Sequence, residues 1–144
     1  LGIKWNNRDR NSPRLFWRTG NFETSLLEIG IDQKSGVIRS LTLIFTDKIS
    51  VYKIKSIDAA VVEGTPVFDQ SHWGTEYYLD DCKEFTTFLA DQQLRIVLNE
   101  DSSADKAVKS GRVLFYFDSQ NELIQLDILH ISEKEYSQIL SHIR

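Results

Sequence analysis

The stretch Gly111–Ser132, GRVLFYFDSQNELIQLDILHIS, alternates apolar with other residues on either side of a short polar run. Val113, Phe115 and Phe117 precede DSQNE, and Ile124, Leu126 and Ile128 follow it. Successive side chains of an extended strand point to opposite faces, so a period of two puts these residues on one face and predicts two strands joined as a hairpin. Two other segments share the outline. In SLLEIGIDQKSGVIRSLTLIF, Leu27, Ile29 and Ile31 lead into DQKSG, and Leu41, Leu43 and Phe45 return; Gly36 can supply the positive φ such a turn needs. In KEFTTFLADQQLRIVL, Phe85, Thr87 and Leu89 precede ADQQ, and Leu94, Ile96 and Leu98 follow. A helix over 82–89 competes there, because Phe85, Phe88 and Leu89 also have helical spacing. The β-branched Thr86 and Thr87 and the clean alternation to Leu98 favour strands.

The rest of the chain fits around these hairpins. Val51, Ile54, Ile57, Val61 and Val62 provide one or two further strands, ended by Gly64 and Pro66. Segment 99–111, NEDSSADKAVKSG, is polar and reads as a loop, with room for one helical turn. RLFWR reads as an edge strand with Leu15 and Trp17 inward. At the C-terminus Ser132 and Glu135 have capping-box spacing, and Tyr136, Ile139, Leu140 and Ile143 form one apolar helical stripe. The expected fold is mainly β (α+β): antiparallel hairpins in a curved sheet or sandwich with a C-terminal amphipathic helix, all in a single domain over 1–144.

A hydrophobic content of 41% with 26% charged residues is that of a soluble protein. No run approaches the ~18 apolar residues of a membrane span, and LGIKWNNRDRNSPR lacks an apolar signal-type segment. Cys82 is the one cysteine, which fits a reducing cytoplasm. The net charge of −4 is unevenly spread. Residues 1–18 carry Lys4, Arg8, Arg10, Arg14 and Arg18 against Asp9, whereas 69–105 carry nine acids against Lys83 and Arg95. Such an acidic stretch repels phosphates and attracts a basic partner.

FDQSHWGTEYYLDDC, residues 68–82, resembles a catalytic inventory, yet each chemistry fails on spacing or charge. His72 and Glu76 have the i, i+4 spacing of a helical zinc site, but Gly74 and Thr75 oppose a helix, and His130 and His142 have no ligand-spaced neighbour. Neither a metal nor another cofactor is expected. Like charge from Asp80, Asp81 and Glu84 around Cys82 opposes its use as a nucleophile, and on an extended segment Asp80 and Asp81 point apart. No G-x-S-x-G elbow and no phosphate-binding glycine motif occurs. Trp5, Phe16 and Trp17 interleave with arginines in a manner that suits single-stranded nucleic acid, but the edge-strand reading of RLFWR is simpler. Recognition of a protein is the remaining reading, with aromatic anchors among acids. The candidate partner-binding residues are Asp69, Trp73, Glu76, Tyr78, Asp80, Asp81, Glu100 and Asp101. Trp73 and Tyr78 fit core positions equally well.

LLEIGIDQKSGVIRSLTLI, then GTPVFDQSHWGTEYYLDD, then FTTFLADQQLRIVLN resembles in layout the small cytoplasmic immunity proteins of bacterial polymorphic-toxin and contact-dependent inhibition systems, over about residues 24–131. The resemblance implies a non-enzymatic, stoichiometric inhibitor of a cognate toxin C-terminal domain, often a nuclease and therefore basic. It transfers no individual residue. Two other classes stay open: a small-ligand-binding β module with Tyr116, Trp73 and Arg95 on a concave face, and a hydrolase whose dispersed residues, such as His72, Cys82 and His130, converge.

Overall fold

All three hairpins form in the computed structural model, which describes residues 1–5, 12–47, 49–51 and 53–141. Arg8, Asp9, Arg10, His142 and Ile143, named above, lie outside the described residues. In chain order the strands are β1 (Gly2–Lys4), β2 (Arg14–Thr19), β3 (Leu26–Asp32), β4 (Ile38–Phe45), β5 (Ile49–Val51), β6 (Ala60–Glu63), β7 (Tyr78–Asp81), β8 (Thr86–Ala90), β9 (Gln93–Val97), β10 (Lys106–Ser110), β11 (Val113–Phe117) and β12 (Leu123–Leu129). A 3₁₀ turn, Gln70–Trp73, precedes β7, and the helix α1 spans Glu133–Ser141. The fold is mainly β with a C-terminal helix.

Local chemistry explains the turns. Asp32 Oδ2 accepts from the Lys34 and Ser35 N–H groups, and Gly36, at φ 75°, closes the β3–β4 connection. A Cβ on Gly36 would lie 2.1 Å from the Phe68 carbonyl oxygen, so both the turn and the neighbouring chain require glycine. Between β8 and β9 the turn is made at Gln92, with φ 65°. Left-handed backbone costs a non-glycine residue about 1–2 kcal/mol. Gln92→Gly keeps the Gln92 carbonyl, which accepts from Ile131 N–H, and is expected to raise stability by about 0.5–1 kcal/mol in urea unfolding.

The strands build two sheets: β1-β4-β3-β2-β7, and β5-β8-β9-β12-β11-β10-β6. The hairpin ladders are antiparallel, but both sheets are mixed, because β7 pairs with β2, β5 with β8 and β6 with β10 in parallel. Two expectations are corrected. RLFWR is not an edge strand, since β2 lies between β3 and β7. Segment 99–111 is not all loop: it contains β10, paired on both sides, with Ala107 fully buried.

The inner faces share one core. Leu15, Leu27, Ile29, Ile31, Leu41 and Leu43 of the first sheet pack with Leu89, Leu94, Ile96, Phe115, Leu126 and Ile128 of the second. The alternation therefore produces a sandwich, each such side chain contributing about 1.5–3 kcal/mol through burial. Ile139 joins this core from α1, while Leu140 is turned partly to solvent. The predicted capping box is present: Glu135 N–H donates to Ser132 Oγ (3.1 Å) and Ser132 N–H to Glu135 Oε1 (3.1 Å). Arg112 adds a bidentate grip on Glu135 (2.9 and 2.6 Å), which lowers that carboxyl from 4.5 to about 2, the Arg112 hydrogen bonds being the main cause. A depressed folded-state pKa stabilises above the unfolded value and is lost as pH falls through the folded one. Glu135→Gln is therefore expected to cost about 1–2 kcal/mol at neutral pH, and the difference from the parent is expected to fade between pH 4.5 and about 2 in acid denaturation curves.

The outer face of the second sheet is also covered. Val51 ends one edge strand and Ala60 begins the opposite edge strand. Segment 53–59 crosses this face as a strap. Ile57 and Ala59 pack against Ala107 and Tyr116, and Arg95 Nη1 donates to the Lys55 carbonyl (2.7 Å). Beneath the strap, Arg95 on β9 lies directly opposite Asp127 on β12 and pairs with it bidentately (2.8 and 2.9 Å). Tyr116 Oη (3.0 Å) and Gln93 Nε2 (3.2 Å) also donate to Asp127. Burial alone would lower the Arg95 pKa, but its contacts with Asp127 outweigh this and raise it; burial next to Asp127 pushes the Tyr116 phenol up to about 12.

Candidate functional site

Where β7 ends the first sheet, the two sheets separate around a cleft of about 870 Å³. One wall comes from Trp17 on β2, Ile29 and Ile31 on β3, Leu79 on β7, and Phe68 and Trp73 from the segment before it. The other comes from Leu98 after β9 and from Phe117, Leu123 and Ile124 around the β11–β12 turn. Apart from Ile124, which belongs to the separate cluster of Ala107 and Tyr116, these walls continue the shared core, and Trp17, Phe68, Leu79, Leu98, Phe117 and Leu123 are only partly buried at its open end. Among the described residues, four acids, Asp69, Asp81, Asp118 and Glu122, stand on the lining against a single lysine, Lys83, with His72 beside them.

The chain places these groups by ordinary turn and strand rules. Asp69 caps the 3₁₀ turn: its Oδ1 accepts from the Ser71 N–H (3.0 Å) and hydroxyl (2.6 Å), which hold its pKa below the usual carboxylate value. Trp73 ends that turn buried, 7% exposed, with its indole N–H donating to the Phe16 carbonyl (3.0 Å). This contact sets the turn beside β2, and Phe16 N–H then donates to the Tyr77 carbonyl (2.8 Å), starting the parallel β2–β7 ladder. Strand alternation does the rest. Leu79 and Asp81 face the cleft, and Tyr78 and Asp80 face the other side. Asp118 Oδ1 accepts from the Gln120 and Glu122 N–H groups, tightening the β11–β12 turn at the opposite rim.

The candidate residues therefore divide. Asp69, Trp73 and Asp81 come together at the cleft, Trp73 as a wall of the core and not as an exposed anchor. Tyr78 and Asp80 lie on the outer face of the first sheet. Tyr78 stacks on Phe16 (centroids 5.3 Å apart) under the Arg18 guanidinium (4.4 Å), and Asp80 forms a bidentate pair with Arg18 (2.7 and 2.8 Å). Glu76 is exposed in the turn before β7. Glu100 and Asp101 are exposed in the loop after β9, between the cleft-lining Asn99 and Ser102. Asp118 and Glu122 were missed by the sequence reading: DSQNE signalled a turn, and nothing local indicated that it faces residues about fifty positions earlier. Tyr116 and Arg95 do not share a pocket with Trp73; they are engaged with Asp127 under the strap on the outer face of the second sheet.

Chemically, the site offers apolar walls with a carboxylate rim. Among the described residues the Asp81 and Glu122 carboxylates make no hydrogen bond or ion pair, so both are available to an outside cation. No three His, Cys, Asp or Glu side chains among the described residues group to hold a metal ion. No helix of the described residues is long and apolar enough to cross a membrane. No protein-family model matches the chain, and no curated protein matches it in sequence.

Proposed function

We propose that this protein is an immunity protein, which neutralises the C-terminal domain of a cognate bacterial toxin, a nuclease, by stoichiometric binding without catalysis. The observation that carries this reading is the excess of carboxylates at the mouth of an apolar cleft, Asp69, Asp81, Asp118 and Glu122 against Lys83. A nuclease domain is basic where it holds phosphates, and carboxylates presented by an inhibitor occupy those positions and speed encounter. Asp80, held by Arg18, contributes less to this field than Asp81 does. The test is co-expression with the C-terminal domain of the secreted protein encoded beside its gene. Restored growth and a one-to-one complex are expected; unrelieved arrest with no complex overturns the reading. The cleft volume of about 870 Å³ favours a second reading, a small-ligand-binding β module, because it falls within the range of ligand pockets. A low-molecular-weight compound carried through purification in native mass spectra distinguishes it.

A further inference from the structure

We infer that the cleft receives an extended segment of the protein partner, which adds as a strand beside β7, sends alternate apolar side chains between the sheets and places lysine or arginine at the rim. The inference deepens the reading above and rests on it for the identity of the partner. Three independent features converge. The first is the edge: among the described residues β7 is the last strand of its sheet, bonded to β2 alone. In its parallel register with β2, Phe16 takes the Tyr77 carbonyl, so the backbone groups of Tyr78 and Asp80 point away from β2, ready to pair with an added strand.

The second is the cleft itself. A strand beside β7 keeps the same alternation, so the side chains that share a face with Leu79 and Asp81 enter the cleft, while those beside Tyr78 and Asp80 lie over the outer face. The entering residues meet Leu98, Phe117 and Leu123 from the second sheet, which are left partly uncovered at the open end of the core. Apolar side chains fit there and polar ones do not. The third is charge. Asp81 and Glu122 have no partner among the described residues and flank the entrance from opposite sheets. A fatty acid, a nucleotide or an acidic peptide would bring like charge to this rim, whereas a basic segment neutralises it.

The experiment titrates the full chain with a short synthetic peptide that alternates leucine and threonine and carries lysines at both ends, and with the same peptide carrying glutamates there. Trp17 and Trp73 line the cleft, so their emission reports occupancy. Saturable binding of the lysine peptide is expected, with the glutamate peptide weaker by about tenfold or more. Leu98→Arg, which fills the cleft from its wall, is expected to reduce lysine-peptide affinity by about tenfold or more, and the exposed variant Glu122→Lys gives a second reading should Leu98→Arg misfold. Equal affinity for both peptides, no binding up to about millimolar peptide, or binding unchanged in both variants overturns the inference. Growth protection separates it from the immunity reading. A Leu98→Arg chain that still protects cells and binds the toxin domain removes the cleft segment and leaves immunity standing; a parent chain that binds the peptide but never protects does the reverse.

Discussion

Asp127→Ala is expected to lower the unfolding free energy by about 3–5 kcal/mol, which at this chain length moves the melting midpoint down by roughly 10–15 °C. Asp127 is fully buried and accepts from Arg95, Tyr116 and Gln93. Its removal leaves the Arg95 guanidinium without a counter-charge beneath segment 53–59, and an unpaired buried charge is far more costly than the net worth of the pair. Removing both charges is expected to be milder. Arg95→Met with Asp127→Leu should recover more than half of the loss, so the two substitutions are strongly non-additive. Since Arg95 also holds the Lys55 carbonyl, its loss is expected to speed amide exchange in 53–59 ahead of global unfolding. A loss below about 1 kcal/mol for Asp127→Ala, measured by urea unfolding, would mean that water reaches the pair and that the strap does not seal it.

Charge reversal at the cleft rim has the largest expected effect on binding. Among the described residues, Asp81→Lys with Asp118→Lys and Glu122→Lys changes the rim from four acids and one lysine to one acid and four lysines. Steering by complementary charge raises association rates by about ten- to a thousandfold, and reversal forfeits it. The triple variant is expected to associate with the proposed toxin partner at least about tenfold more slowly at low salt. Its melting midpoint should stay within a few degrees of the parent, because Asp81 and Glu122 have no partners among the described residues and Asp118 gives up only turn hydrogen bonds. Asp80→Lys is the internal contrast. It breaks the Arg18 pair on the opposite face of β7 and is expected to alter association little.

The sequence was informative wherever the determining contacts are local. Alternation on both sides of DQKSG, ADQQ and DSQNE sufficed for the hairpins, and Ser132 with Glu135 marked the helix start, because both signals lie within a few residues of the structure they produce. β10 was missed because KAVKS has only Ala107 and Val108 as apolar residues; it is a strand by virtue of β11 on one side and the parallel β6 on the other. The β2–β7 pairing joins residues about sixty positions apart and left no local trace, so RLFWR seemed to be an edge. The same limit applies to the site. That Asp80 and Asp81 point apart was legible from parity alone, but which of them faces the cleft depends on the β7 register with β2. Arg95 and Asp127 did carry a signal, opposite charges at the outward positions of two strands whose inward positions are apolar; recognising it required the register that sets them side by side.

The central claim is that the acid-rimmed cleft is the surface on which a basic partner docks. Stopped-flow association of the parent and the Asp81→Lys/Asp118→Lys/Glu122→Lys variant with the toxin domain, at about 50 mM and about 500 mM salt, tests it most directly. The parent should associate at least about tenfold faster than the variant at low salt, and the two rates should approach each other at high salt as screening removes the steering. Equal rates at low salt, with the same salt dependence, would contradict it.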